Sequence, residues 1–183
     1  DERDQHLVTS VNDFSVEEWD ATYGEAYKAS IAAGAMTVMV GHISQPAYSR
    51  ALRPEQADED ILPASLAPEI MGDLLRGKLG FNGLVVTDAT TMLGFTIPLP
   101  RSKAVPTAIA AGADVFLFTR NLEEDFGFML AGATDGTISP ERLDAAVARV
   151  LGLKAALKLH EGKPAPTIDG ARQVVGCEEH QSW

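Results

Sequence analysis

The run Leu84-Val85-Val86-Thr87 follows the turn pair Asn82-Gly83 and ends on Asp88. A short apolar run with no polar alternation predicts a strand covered on both faces. The stretch in front of it, Leu74 to Phe81, reads as the end of a helix. Helix, turn, buried strand and terminal carboxylate predict a β/α unit that presents Asp88 at the carboxyl end of its strand. In β/α barrels that end carries the chemistry. A carboxylate there loses some hydration and stays aimed, so it suits a nucleophile or a base. The competing assignment is an Asp that only caps a turn or helix.

The same alternation recurs along the chain. Met36–Val40 lies between Gly34 and Gly41, and Val115–Phe118 follows Gly112; both read as short apolar strands. Ser15 and Glu18 match a capping box ahead of a helix from Val16 to Ala33, which Gly34 ends. Residues 1–14 read as an irregular loop. Ser44 to about Leu62 reads as a long loop because of its prolines. Helices are expected from Ser65 to Lys78, with Pro68 in the first turn, and from Ser102 to Ala111, made irregular by Pro106. Two more run from Leu122 to about Ala133 and onward from Ser139-Pro140-Glu141, a cap followed by proline at the first helical position. Leu143, Val147, Val150, Leu151, Leu153 and Leu157 give the last helix an apolar face. Pro164 and Pro166 mark a linker.

The expected fold class is therefore α/β, with parallel strands alternating with helices. Three strands do not close a (β/α)8 barrel. They form either a small open sheet or part of something larger. The tail from Ala171 to Trp183 favours the second: residues 1–163 as the C-terminal part of a TIM-type (β/α)8 barrel, and 164–183 as a linker or the start of a following region. Strands with unpaired edges should associate with a missing upstream half-barrel or with another copy.

A formal charge of −11 argues against a nucleic-acid partner and suits a neutral or weakly charged substrate. No apolar run approaches the ~20 residues of a membrane span. The chain starts Asp1-Glu2-Arg3-Asp4 without Met, which leaves the compartment open, with the cytoplasm favoured. A single cysteine, Cys177, excludes an internal disulfide and a Cys-based zinc cluster. Asp4 and His6 have ligand-like spacing, but no third ligand is near in sequence. With no phosphate loop or dinucleotide fingerprint either, no metal or cofactor is expected.

Leu74-Leu75-Arg76-Gly77-Lys78, then Gly83-Leu84-Val85-Val86-Thr87-Asp88 and Thr91, together resemble the signature of glycoside hydrolase family 3 around its nucleophile. Met39-Val40-Gly41-His42-Ile43 and Pro63-Ala64-Ser65 resemble the preceding strand and its loop. Ala111-Gly112-Ala113-Asp114 looks like the lead into the last barrel strand, and Ser139-Pro140-Glu141-Arg142 like the helix that closes the barrel. Asp4-Gln5-His6 is similar to the Asp-x-His pair of the β-N-acetylglucosaminidase branch. In the family the barrel begins further upstream, and that part supplies strands and the Lys-His and Arg residues that grip the sugar.

The resemblance implies that Asp88 attacks the anomeric carbon, that His6 is the general acid/base, and that Asp4 orients it. The attacking group must be ionised, so a nearby donor is expected, either Thr87 or amides of the following loop. Imidazole serves in both directions near neutral pH. It also would not repel an anionic acceptor such as phosphate, so phosphorolysis is an alternative outcome. His42 ends the preceding strand and is expected to contact sugar or to hold the loop; it is taken here as a sugar contact. Met92 is expected against the sugar face or the N-acetyl methyl, and Arg120, beside Asn121, at the site face. His160 and His180 are expected to be solvated. The implied activity is retaining release of terminal β-linked N-acetylglucosamine. A β-glucosidase and a non-catalytic barrel fragment are the alternatives.

Overall fold

The computed structural model describes residues 3–162 and 167–181. They divide into two units, one ending at Leu153 and one starting at Lys154. Within the first, β1 (Ser10–Val11) pairs in parallel with β3 (Ile43–Ser44), and β2 (Thr37–Val40) pairs in parallel with β4 (Leu84–Thr87). The register sets Thr37 against Leu84 and Val40 against Thr87. Helices alternate with these strands, as expected for an α/β chain.

The first helical stretch starts where its capping box predicts. The Ser15 hydroxyl accepts from the Glu18 N–H at 3.1 Å, and the Glu18 carboxylate accepts from the Ser15 N–H at 2.9 Å. It runs as α1 (Val16–Trp19), a widened π turn (Asp20–Gly24) and α2 (Glu25–Ala32). Gly34 ends it at φ +91°, a conformation that glycine adopts without a Cβ penalty. The wide turn keeps Trp19 buried, edge-on to Tyr48 at 5.1 Å and stacked on Tyr27 at 5.9 Å.

Three expectations are corrected here. The proline-rich stretch after Ser44 is not all loop: α3 (Pro46–Leu52) forms with Pro46 at its first helical position and buries Tyr48 and Ser49. Proline lacks an N–H that the first turn would leave unbonded anyway, so it starts this helix. The segment Val115–Phe118 lies beside β4 but forms only one bridge, Val86 to Val115. Backbone rungs form at Val115, but at Leu117 the Thr87 hydroxyl takes their place, accepting from the Leu117 N–H at 2.9 Å and donating to the Leu117 carbonyl at 3.0 Å. Residues 1–14, expected to be irregular, include β1.

The helix Glu69–Lys78 begins after Pro68, and Leu74, Leu75, Val85 and Phe81 close the main core beneath it. The short α4 (Leu93–Thr96) precedes α5 (Arg101–Ala111), where Leu66, Phe95, Ala104, Val105 and Ala108 form a second core. Fully burying side chains such as Leu66, Phe95 and Val105 contributes about 1.5–3 kcal/mol each relative to exposure. Pro106 sits inside α5 and faces α6 (Leu122–Asp135), where a Cβ on Gly132 would stand 2.5 Å from the proline ring. The close α5–α6 contact therefore needs glycine. The start of α7 (Pro140–Ala156) follows the Ser-Pro-Glu signal, with the Ser139 hydroxyl accepting from the Arg142 N–H at 3.1 Å. Its apolar side chains Leu143, Val147 and Leu151 are exposed.

The second unit carries α8 (Ile168–Val174) and α9 (Glu178–Gln181), so the tail holds helices beyond the expected linker. Pro164, Pro166 and the side chain of His180 lie outside what is described. No described helix is long and apolar enough to cross a membrane.

Candidate active site

Because β2, β4 and the Val115 segment run parallel, His42, Asp88 and Arg120 all follow carboxyl ends and stand on one rim. The Asp88 N–H donates to the Val40 carbonyl at 2.9 Å, which continues the β2–β4 pairing to the rim itself. The Asp88 carboxylate is half-buried. Its Oδ1 accepts from the Ala89 N–H at 2.7 Å and its Oδ2 accepts from Gln5 Nε2 at 3.2 Å. The expected donor thus includes an amide of the following loop, while Thr87 spends its hydroxyl on Leu117.

The arm Asp4-Gln5-His6 folds as a turn against this rim. Leu7 and Val8 N–H groups both donate to the Asp4 carbonyl, at 3.0 and 3.1 Å. Asp4 Oδ1 accepts from the His6 backbone N–H at 2.9 Å and meets His6 Nδ1 at 2.6 Å. These two bonds, the backbone one first, hold the Asp4 carboxyl below its usual range. A carboxylate on Nδ1 fixes the proton there and leaves Nε2 as the working nitrogen. The two side chains are 67% and 58% exposed, so the pair faces open solvent. Asp4 and Gln5 line a cavity of about 410 Å³ together with Asn12 and Tyr23. Asp88 does not line it, nor the cavity of about 210 Å³ among Trp19, Tyr27, Val38, Met71 and Leu75.

His42 is placed differently from the expected sugar contact. It is fully buried, and both ring nitrogens are bonded within the protein: Nδ1 to Ser65 Oγ at 2.7 Å, Nε2 to the Ala89 carbonyl at 3.1 Å. A carbonyl only accepts, so Nε2 carries the proton and Nδ1 accepts from the serine. Burial pushes the imidazole below its usual range, and the Ala89 bond and the Asp88 charge only partly offset this. A neutral His42 therefore holds the loop behind Asp88, the other role open to it in the sequence. Met92 is buried as well and offers a sugar no exposed face. Arg120 is exposed on the rim, and its backbone N–H donates to Asp125 at 2.9 Å.

Three residues that the sequence did not single out complete the setting. Arg101 donates through Nε and Nη2 to the two oxygens of the fully buried Asp125, both at 2.7 Å. Its Nη1 donates to the Thr90 carbonyl at 2.7 Å, and Thr90 N–H donates to the Leu117 carbonyl at 2.8 Å. The loop leaving Asp88 is thus fastened to α5 and α6. Gln5 is the third, between two residues that the family resemblance did mark. Among the described residues no three His, Cys, Asp or Glu side chains converge as a metal site.

A family model described as the glycosyl hydrolase family 3 N-terminal domain matches residues 2–153. The chain belongs to glycoside hydrolase family 3. A beta-N-acetylglucosaminidase/beta-glucosidase of Cellulomonas fimi is 62% identical over 182 residues, 100% of this chain and 32% of that protein. Among solved structures, a beta-glucoside phosphorylase superposes with TM-score 0.95 at 47% identity, over 100% of this chain and 33% of that one. A family 3 beta-N-acetylglucosaminidase from Paenibacillus sp. str. FPU-7 superposes with TM-score 0.78 at 30% identity, over 92% of this chain and 31% of its own. The chain spans about a third of the length of these relatives.

Proposed function

We propose that residues 1–163 are the C-terminal part of a family 3 (β/α)8 barrel, with 164–183 leading into a following region, and that the whole protein is a retaining exo-glycosidase acting on terminal β-linked N-acetylglucosamine. Asp88 attacks C1 of the sugar and forms a covalent glycosyl ester. His6, charged, gives its Nε2 proton to the departing oxygen, while Asp4 on Nδ1 steadies the imidazolium. Neutral His6 then takes a proton from water as that water attacks C1 and frees Asp88. Arg120, exposed on the same rim, is a sugar contact. The observation that carries the reading is the convergence of Asp88 and the Asp4–His6 pair on one rim, bridged by Gln5.

A second outcome has its own support. Phosphate in place of water at the second step would release a glycosyl phosphate, and neutral imidazole does not repel that anion as a carboxylate base would. The solved phosphorylase at 47% identity favours testing it. Asp88→Ala in the full-length protein should abolish turnover of nitrophenyl N-acetylglucosaminide, with water or with phosphate as acceptor. Full activity of that variant would remove Asp88 from the mechanism. Turnover of the glucoside alone would replace the N-acetylglucosaminidase assignment with β-glucosidase.

A further inference from the structure

We propose that Gln5 is a positioning residue: its carboxamide clasps the arm carrying Asp4 and His6 onto Asp88 and the His42 backbone, so that seating the arm and orienting the nucleophile are one event. The role given to Gln5 rests on the assignment of Asp88 and His6 made above.

The bonds close a ring. Gln5 Nε2 donates to Asp88 Oδ2 at 3.2 Å, and Gln5 Oε1 accepts from the His42 N–H at 2.8 Å. His42 Nε2 holds the Ala89 carbonyl at 3.1 Å, and the Ala89 N–H holds Asp88 Oδ1 at 2.7 Å. The orientation of the carboxamide is forced. A carboxylate only accepts and a backbone N–H only donates, so the reverse flip would set oxygen against oxygen and N–H against N–H. A glutamine has one donor end and one acceptor end on a single planar group, which is what this gap requires. Each Asp88 oxygen therefore has one donor from a different source: Oδ1 from its own loop, Oδ2 from the arm.

The backbone is shaped to receive the clasp. The Gly94 N–H donates to the Gln5 carbonyl and the Leu93 N–H to the His6 carbonyl, both at 3.1 Å. A Cβ at Gly94 would stand 2.8 Å from the Gln5 carbonyl oxygen and 3.1 Å from that of Val8. A Cβ at Gly41 would stand 3.3 Å from Gln5 Oε1. Side chains at these two positions would press the arm away from the rim. The residue after Gln5 is His6, so displacement of Gln5 moves the proton donor as well as the nucleophile's partner.

The test uses aryl N-acetylglucosaminides of graded leaving ability on the full-length protein. Rates are taken per competent site, counted with a slow-releasing fluoroglycoside and checked by thermal melts. Dinitrophenolate departs without a proton, whereas a poor leaving group needs His6. Gln5→Leu should lower kcat/KM about ten- to hundredfold with the activated substrate, the scale of a lost bond to a charged group, and further with poor leaving groups. Gln5→Glu keeps the acceptor for His42 but sets a carboxylate on Asp88, so it should slow every substrate by a similar factor. Gly94→Ala, which displaces the arm from outside, should slow the activated substrate as Gln5→Leu does and the poor ones further. Unchanged kcat/KM in Gln5→Leu, or a loss that only tracks the unfolded fraction, overturns the proposal. If Asp88→Ala is inactive in that same experiment, the nucleophile stands and Gln5 alone is reassigned; an active Asp88→Ala removes both.

Discussion

Replacing Asp125 by Ala should unfasten the loop behind Asp88 at a measurable cost in stability. Asp125 is fully buried and accepts three hydrogen bonds: two from Arg101 at 2.7 Å and one from the Arg120 N–H at 2.9 Å. The Arg101 side chain is itself only 10% exposed. Truncation leaves a guanidinium desolvated without its counter-charge, which typically costs about 3–5 kcal/mol. That is a large share of the roughly 5–15 kcal/mol that holds a domain folded. At about 2–4 °C per kcal/mol for a chain of this size, the melting temperature should fall by about 6–20 °C. Calorimetry and urea unfolding read this directly. The double variant Asp125→Leu with Arg101→Met should recover much of the loss, because it removes both charges rather than orphaning one. Burial pushes the Asp125 carboxyl up, but the Arg101 bonds and the Arg120 N–H outweigh it and hold the group below its usual range. Its contribution is therefore complete above about pH 4, the unfolded value, and is lost as pH falls through the folded one. A loss below about 1 kcal/mol in Asp125→Ala would refute the view that this pair bears on the fold; the usual range for exposed ion pairs ends there.

Two further outcomes are expected. Burial holds the His42 imidazole below its usual range in the fold, so the unfolded chain binds that proton first and stability should decline as pH drops below about 6.5, the unfolded value. His42→Gln should flatten this slope below about pH 6.5; an unaltered slope would show that His42 is not the group responsible. Asp114 takes bonds from Arg76 at 2.8 Å, from Arg142, from Arg149 at 3.3 Å and from the Val85 N–H at 2.9 Å. Asp114→Asn leaves three guanidinium groups facing one another, and a destabilisation of about 3–5 kcal/mol by urea unfolding is expected; a neutral effect would mean solvent screens them.

The sequence by itself determined the local units. The capping box at Ser15, the stop at Gly34, the Ser139-Pro140 start and the strand ending on Asp88 all formed where their residues specify, because each depends on contacts within a few positions along the chain. It also carried the family, since the signature around Asp88 is contiguous. What only the tertiary structure decided lies between distant segments. Gln5 and Asp88 are 83 residues apart, His42 and Ala89 47, Arg76 and Asp114 38. No periodicity marks such pairs. His42 stands on the rim, but its two ring nitrogens meet Ser65 and Ala89, which makes it a prop for the loop rather than a sugar contact. The last strand keeps backbone rungs at Val115 but meets the Thr87 hydroxyl at Leu117, and α3 buries Tyr48 and Ser49 within a proline-rich stretch. Hydrogen-bond satisfaction across the rim is a property of the packed molecule, and it assigned these side chains their tasks.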